Sequence, residues 1–396
     1  MKLIFLGLFF CEESLQEAYC ASKRVLMAPH KYQRNLLDGL ENCKNVEFFT
    51  VNIPPTGSFP VNYKKLFSKR YKWAENGLQI GYLNLPVIKH WIQKWKLKRL
   101  LKNKIDKNEE THIVIYSLYE PYLKVVNKLK KRYPKLSVTL IQTDPVPGRG
   151  DFEKFMTPKV IKRGNRLVAL TKNFDKFILL TKYLAESLEV GDRPVEIMEC
   201  IANGSQIAGK RNETSKNVCL YAGGVGKDFG LIELADAFAL LPEAELWVCG
   251  GGNASDYLQE MSQKYSNIKY FGFVKAERVA ELQNECDFLI NPRRPNGGFT
   301  KYSFPSKTVE YMMTGKPVIM YKLEGVPDEY DEYLNYVTGE TGGELAEELR
   351  KIFSQDYTCL AEKGEKARVF VAENKNGTIQ AERLITFLQE ARNERD

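Results

Sequence analysis

The sequence predicts an α/β protein of two parallel-sheet domains, and three observations lead there. Its 396 residues exceed the ~250–300 at which a single hydrophobic core stops growing, so two cores are expected. Apolar runs of strand length alternate with helical patterns almost from end to end, the signature of βαβ units and hence of parallel strands. Between the halves, residues 189–215 lack sustained periodicity and are rich in Gly, Asn, Ser and charge, as a domain linker is.

The opening MKLIFLGLFF sets one Lys before an apolar run, but acidic CEES follows where a secretory signal carries small residues. The run is also shorter than the ~20 residues of a spanning helix. It reads as a buried parallel strand near 2–9. Further strands of the first half are expected near 46–52, 112–117, 137–142 and 176–181, with helices near 30–42, 86–105, 120–132 and 182–188. In the second half strands are expected near 218–222, 245–249, 268–271, 286–290 and 317–320. Helices there fall near 230–241, 255–264, 276–284, 305–314 and 343–353, and a last helix near 376–393. Domains at 1–190 and 205–370 follow.

Composition narrows the class. With 43% hydrophobic and 27% charged residues the chain is a folded protein, not a disordered one. Eight cysteines without CxxC spacing fit reduced thiols in a cytoplasmic protein. The three histidines, His30, His90 and His112, supply no His-rich metal site, and no DxD motif or His/Cys/Asp cluster is present, so no metal and no cofactor are expected.

Ligands of open α/β sheets sit beyond the carboxyl ends of the strands, where loops and helix starts offer free N–H groups. The strand VCLYA is followed by GGVGKDFG (223–230), which carries Gly223, Gly224 and Lys227; LWVC is followed by GGGN (250–253), with Gly250 and Gly251. Glycine lets a ligand approach such backbone closely. The segment NPRRPNGGFTKYSFPSKTVEYMMTGKPVI (291–319) ends a strand, turns through a basic loop and opens a helix at Pro305. Arg293, Arg294, Lys301 and Lys307 there would attract a diphosphate. Glu310, one turn in, reads from its spacing first as a plain solvated helix carboxylate and, as the alternative, as an acceptor for the two hydroxyls of a ribose.

FPSKTVEYMMTGKPVI (304–319) resembles the signature segment of family 4 GT-B glycosyltransferases, especially bacterial capsule and exopolysaccharide enzymes. YAGGVGKDFGLIELADAF, ELWVCGGG, KYFGFV, DKFILLTKYLAESL and ENKNGTIQAERLITFL extend the likeness over both halves. The resemblance implies two Rossmann-like domains with parallel sheets facing across a cleft, and a C-terminal helix (374–396) returning to the N-terminal domain. It implies that Glu310 holds the donor ribose, that Gly223 and Gly224 border the pyrophosphate, and that Gly272 to Val274, with Phe273, meet the nucleobase. Ser306, Lys307 and Tyr302 belong to the same donor segment, and Lys227 or Lys307 neutralises the leaving diphosphate. The chain departs from the pattern where Tyr302 stands eight residues before Glu310 in place of the first acid of E-x7-E, with Gly297 and Gly298 where relatives often carry an acid. Gly224 replaces the usual Arg.

In the first half, His30 precedes a helix and either faces the reacting groups or caps the helix; Asp144 in QTDPVPG either orients the acceptor hydroxyl or is an ordinary turn residue. Residues 60–107 carry 13 Lys/Arg against two acids, Glu75 and Asp106, an excess larger than the +8 of the whole chain. Within it, PVIKHWIQKWKLKRLLKNKI mixes Trp91 and Trp95 with Lys89, Lys94, Lys98 and Arg99, as an interfacial helix does, although a helix packed on the sheet with a solvated basic face gives the same pattern. No nucleic-acid module is recognisable.

The expected function is a retaining, metal-independent glycosyltransferase. It takes a nucleotide-sugar donor, a UDP-sugar, and a lipid-linked or oligosaccharide acceptor in surface polysaccharide synthesis, working from the cytoplasm as a peripheral protein on an anionic membrane surface. The alternative is a non-catalytic GT-B protein that binds a nucleotide sugar or a partner enzyme.

Overall fold

The computed structural model describes residues 1–22, 25, 27–44, 46–73, 76–202, 217–295 and 300–390. About half of the expected linker (203–215), Glu75, Gly297, Gly298 and the last residues of the expected terminal helix lie outside them. The chain divides into two compact units. Met1–Ile201, Tyr302–Phe304 and Asn376–Asp396 form one; Ala202–Lys301 and Pro305–Lys375 form the other.

The first unit begins with the buried strand Lys2–Gly7 (β1), then helices Glu12–Ala21 (α1) and Met27–Glu41 (α2) and strand Glu47–Asn52 (β2). Four short strands follow, Phe67–Ser68 (β3), Tyr71–Trp73 (β4), Gly77–Gln79 (β5) and Tyr82–Leu83 (β6). Helix Ile88–Lys104 (α3) leads to strand Thr111–Tyr116 (β7), helix Glu120–Lys130 (α4) and strand Leu136–Gln142 (β8). Helix Pro158–Ala169 (α5), strand Lys176–Leu179 (β9), helix Leu184–Ser187 (α6) and strand Val195–Ile197 (β10) complete the run. One sheet has the order β10-β9-β8-β7-β1-β2-β5-β4, and only its β4 edge is antiparallel. β7 and β8 are buried at every residue, which is why they read as continuous apolar runs.

In the second unit, strands Asn217–Ala222 (β11), Ala244–Cys249 (β12), Ile268–Gly272 (β13), Phe288–Asn291 (β14), Val318–Tyr321 (β15) and Asn335–Val337 (β16) pair in the order β13-β12-β11-β14-β15-β16, parallel throughout. This is the 3-2-1-4-5-6 order of a dinucleotide-binding sheet, with its switch point between β11 and β14. The helices are Leu231–Ala239 (α7), Ser255–Lys264 (α8), Ala276–Glu285 (α9), Ser306–Met312 (α10), Gly342–Phe353 (α11) and Tyr357–Asn374 (α12).

The terminal helix Gly377–Gln389 (α13) belongs to the first unit and lies on α2 so closely that a Cβ on Gly39 would sit 1.9 Å from the Gly377 carbonyl oxygen. The buried Lys176 amine caps its end, donating to the carbonyls of Leu388 at 3.3 Å and Glu390 at 2.8 Å. A cation there offsets the negative pole of the helix.

Several elements differ from the sequence reading. The acidic CEES is the first turn of α1, where Glu12 and Glu13 favour the helix dipole. α5 and the 18-residue α12 were not expected. In α12, Leu360, Gly364, Ala367 and Val371 form the buried stripe, and two of the four are too small to register as apolar periodicity. Part of the presumed linker, β10, extends the first sheet beside β9. Among the described residues no helix is long and apolar enough to cross a membrane.

Candidate functional site

At the switch point of the second sheet, α10 is tied to the end of β11 by Tyr311. Its buried hydroxyl accepts from the Ala222 N–H at 2.9 Å and lies 3.3 Å from the Ala222 carbonyl oxygen. One turn earlier on the same helix face, Lys307 reaches the loop that follows β11. Its Nζ lies 1.6 Å from the point a Cβ of Gly223 would occupy, so only glycine admits the amine there. The amine donates to Tyr221 Oη at 3.3 Å and stands 4.8 Å from the centre of the Tyr221 ring. Tyr221 in turn donates to the Gly224 carbonyl at 2.7 Å, holding the turn.

Burial holds the Lys307 ammonium below the usual lysine range, Glu310 opposes that shift, and Arg293 adds to it. Arg293 is lowered by burial as well, with Tyr221 acting against the shift. Two cations brought close together and partly stripped of water, with one carboxylate beside them, is an arrangement unfavourable by itself and favourable around an anion.

The glycines divide by what surrounds them. Gly250 (φ 129°) would put a Cβ 1.7 Å from the Gly223 carbonyl oxygen, so it is needed for one loop to lie on the other. Gly224 meets only the Phe229 ring at 3.5 Å, and nothing lies within 4 Å of a Cβ on Gly251, so protein packing does not demand glycine at either. Both sit on the open side of the loops. Lys227 is exposed; its N–H donates to Asn253 Oδ1 at 2.8 Å, and its amine makes no ion pair among the described residues. At the end of β13, Phe273 is 89% exposed while Val274 is half-buried. Ser306 is exposed at the first position of α10.

Arg294 does not join the phosphate-attracting group the sequence suggested. It is held in an ion pair with Glu233 at 2.5 Å and donates to the Glu340 carbonyl at 2.6 Å, fastening the loop to α7. Tyr302 is 4% exposed and packs with the first unit, its hydroxyl against Gly150. The structural parts of Tyr221 and Tyr311 were missed in the sequence, although YAGG and KTVEY place an aromatic beside each glycine turn or carboxylate.

At the switch point of the first sheet, between β1 and β7, His30 Nδ1 accepts from the Phe10 N–H at 3.4 Å, and burial lowers its imidazole, with Arg34 and Lys31 in the same direction. The loop after β1 is held by Gln33, bonded to the Leu8 N–H and carbonyl, and by Asn52, bonded likewise to Phe9. Asp144, beyond β8, is solvent-accessible, yet enough protein surrounds its carboxyl for desolvation to raise it, against a 3.5 Å hydrogen bond from Thr143. His112 is buried in β7. On α3, Lys89 bonds the Thr56 carbonyl at 3.3 Å, whereas Trp91, Trp95, Lys98 and Arg99 are exposed. Among the described residues no group of His, Cys, Asp or Glu is placed to hold a metal ion.

Comparison with known proteins agrees with this layout. The chain is similar to the uncharacterized glycosyltransferase MJ1178 of Methanocaldococcus jannaschii, 25% identical over 190 residues, or 47% of this chain and 52% of that protein. It thus spans about half the length of that curated relative. Among solved structures it is similar to sucrose-phosphate synthase from Thermosynechococcus elongatus (13% identity, 98% of this chain and 99% of that chain, TM-score 0.65). An alpha,alpha-trehalose-phosphate synthase (UDP-forming) from Burkholderia xenovorans in complex with glucose-6-phosphate superposes with a TM-score of 0.67 (11% identity, 98% and 99%). Anabaena Alr3699/HepE in complex with UDP and glucose gives 0.59 (14%, 99% and 100%). At these identities the likeness establishes the fold, which is the two-domain GT-B fold. Residues 205–376, the stretch that carries Gly223, Lys307 and Glu310, match the family described as glycosyl transferases group 1.

Proposed function

We propose that this protein is a glycosyltransferase that moves a sugar from a nucleoside diphosphate donor, a UDP-sugar, to a lipid-linked or oligosaccharide acceptor. The observation that carries the reading is the Lys307 amine seated in the hollow of Gly223, beside Arg293 and Glu310, in a domain matched to the group 1 family. Tight placement of fixed cations suits a reaction whose main demand is stabilising a departing diphosphate, because charges held in a partly dry site need no reorganisation as the bond breaks. In this reading Lys307 and Arg293 take the leaving diphosphate, Glu310 accepts from the ribose hydroxyls, and Lys227 approaches the phosphates from the exposed side. Phe273 and Val274 border the base. The open loops at Gly224 and Gly251 let the phosphates meet backbone N–H groups.

The acceptor hydroxyl attacks from the face the diphosphate leaves, with retention, and holding it in line is the remaining task. Asp144 and His30 are the first-unit groups we assign to acceptor orientation. No metal enters, since two cations supply the positive charge, so turnover should survive chelation by EDTA. The setting is bacterial surface polysaccharide synthesis, capsule or exopolysaccharide, at the cytoplasmic face of an anionic membrane.

The direct test is release of UDP from a panel of UDP-sugars by the purified protein and by Lys307→Met. Turnover lowered at least about a hundredfold by the substitution supports the reading. A second reading, a protein that binds a nucleotide sugar without turning it over, is favoured by Tyr302, which leaves the position eight residues before Glu310 without a carboxylate. UDP-sugar binding with no release for any donor and acceptor tried would establish that reading and overturn ours.

A further inference from the structure

Helix α3 presents its two tryptophans outward. Its buried residues are Gln93, Leu97 and Leu101, spaced four apart on the inward face, so that face anchors the helix. Trp91 and Trp95 stand on the other side, 65% and 52% exposed, and Ile88, one turn before Trp91, is exposed as well. Val87 (φ 65°) precedes them, 84% exposed. Large apolar residues gathered along one solvent-facing stripe mark an interaction surface, unlike single exposed ones.

Trp91 and Trp95 form a ridge between two grooves. One, about 550 Å³, runs towards the β3–β6 ribbon and is lined chiefly by apolar atoms of Phe67, Tyr82, Leu83 and Ile92; Phe67 is itself exposed. The other, about 560 Å³, runs towards α4, with Val125 and Leu170 as its floor and Lys94, Lys98, Lys124, Lys128 and Lys131 around it. Lys124 pairs with Glu120; the other four lysines make no ion pair among the described residues, and no acid lines the groove.

The geometry points to this ridge as a docking surface for an anionic lipid bilayer, with Trp91 and Trp95 entering the headgroup region and the lysines of α3 and α4 meeting lipid phosphates. The proposal rests on the reading of the protein as a glycosyltransferase with a membrane-borne acceptor, and deepens it by adding the α4 lysines and the apolar groove to the α3 helix. Two arguments select a bilayer. An amphipathic indole is at its most favourable where one end meets hydrocarbon and the other water, and unpaired lysines beside it complement anionic headgroups. Both grooves are lined mostly by apolar surface and edged by cations, Arg70 and Lys96 in the first and the α3 and α4 lysines in the second, which also matches a surface whose apolar and charged layers are a few ångströms apart.

The test uses the full chain in flotation with vesicles of phosphatidylcholine alone and of phosphatidylcholine with phosphatidylglycerol, while UDP binding is followed by thermal shift. The expected result is salt-sensitive binding to the anionic vesicles only. The pair Trp91→Ser/Trp95→Ser and the triple Lys94→Glu/Lys98→Glu/Lys128→Glu should each lower it at least about tenfold with stabilisation by UDP intact. These substitutions replace exposed side chains apart from the half-buried Lys94; folding is checked by the same thermal shift, and the salt dependence of the unaltered protein tests the proposal without any variant. No binding to anionic vesicles, or binding untouched by both variants, overturns it. So does a dimer that the tryptophan pair converts to monomer, which would name a second copy as occupant, or an oligonucleotide bound more tightly than vesicles through the same residues. Loss of UDP stabilisation in a protein that still floats with vesicles would instead count against the glycosyltransferase reading, so the two failures are separable.

Discussion

At the switch point of the second sheet, a lysine amine fills the hollow of a glycine and lies near a second cation and a carboxylate. At the corresponding point of the first sheet, Gln33, Asn52 and His30 spend their hydrogen bonds on the main chain of Leu8, Phe9 and Phe10. The same architecture is furnished for opposite ends. Polar groups already satisfied by backbone give rigidity, whereas desolvated like charges are a standing cost that an arriving anion relieves. Under the proposed function, that contrast assigns donor chemistry to the second unit and acceptor positioning to the first.

The substitution that cuts deepest into that comparison is Lys307→Met. We expect turnover to fall at least about a hundredfold, with thermal stability unchanged or raised, because a buried charge is removed. Equal turnover in the variant would erase the distinction between the two switch points.

Next in size is Gly223→Ala. A Cβ at that point displaces the amine, 1.6 Å away, and donor affinity measured calorimetrically should weaken about tenfold to a hundredfold in a protein that still folds. Glu310→Gln keeps the shape and one acceptor; affinity for the nucleotide should drop about tenfold, and less for a nucleotide lacking the ribose hydroxyls.

The pH dependence sharpens the same contrast. With its ammonium held below the ordinary 10.5 by burial, Lys307 is fully charged only below that lowered value. Donor affinity should therefore be lost as the pH rises through that lowered value, at a lower pH than for an exposed lysine. Lys307→Arg should flatten that alkaline limb, as isothermal titration across pH would reveal.

The smallest effect on binding belongs to Arg294→Ala. Since Arg294 fastens its loop to Glu233 and the Glu340 carbonyl, the change should cost about 1–2 kcal/mol of stability and leave UDP affinity within about twofold, a split that denaturant titration and calorimetry together resolve. A large loss of affinity would return Arg294 to the phosphate-binding group.

How much of this was legible beforehand depends on the range of the interaction. The buried strands β1, β7, β8, β11 and β14 were readable because a parallel strand covered on both faces is written as an uninterrupted apolar run. α12 was not, because half of its buried stripe is Gly364 and Ala367, residues whose burial reflects close packing rather than apolar size; a Cβ at Gly364 would lie 2.5 Å from the Gly315 carbonyl oxygen. Glu310, Lys307 and Gly223 were identifiable as residue types in a recurrent segment. That Arg294 is consumed by an ion pair and Arg293 is partly buried beside Lys307 was not, since adjacent arginines in one basic loop are equivalent in sequence.

By itself the sequence determined the alternation of strand and helix, the glycine turns, the basic excess of residues 60–107 and the carboxylate of the KTVEY segment, because each follows from local periodicity or residue chemistry. Only the tertiary structure decided which lysine lies against which glycine, which face of α3 carries its tryptophans, and that the last helix rests on α2. Those outcomes depend on contacts between residues up to hundreds of positions apart, where backbone clearance and exclusion of water select one pairing among many that the sequence permits.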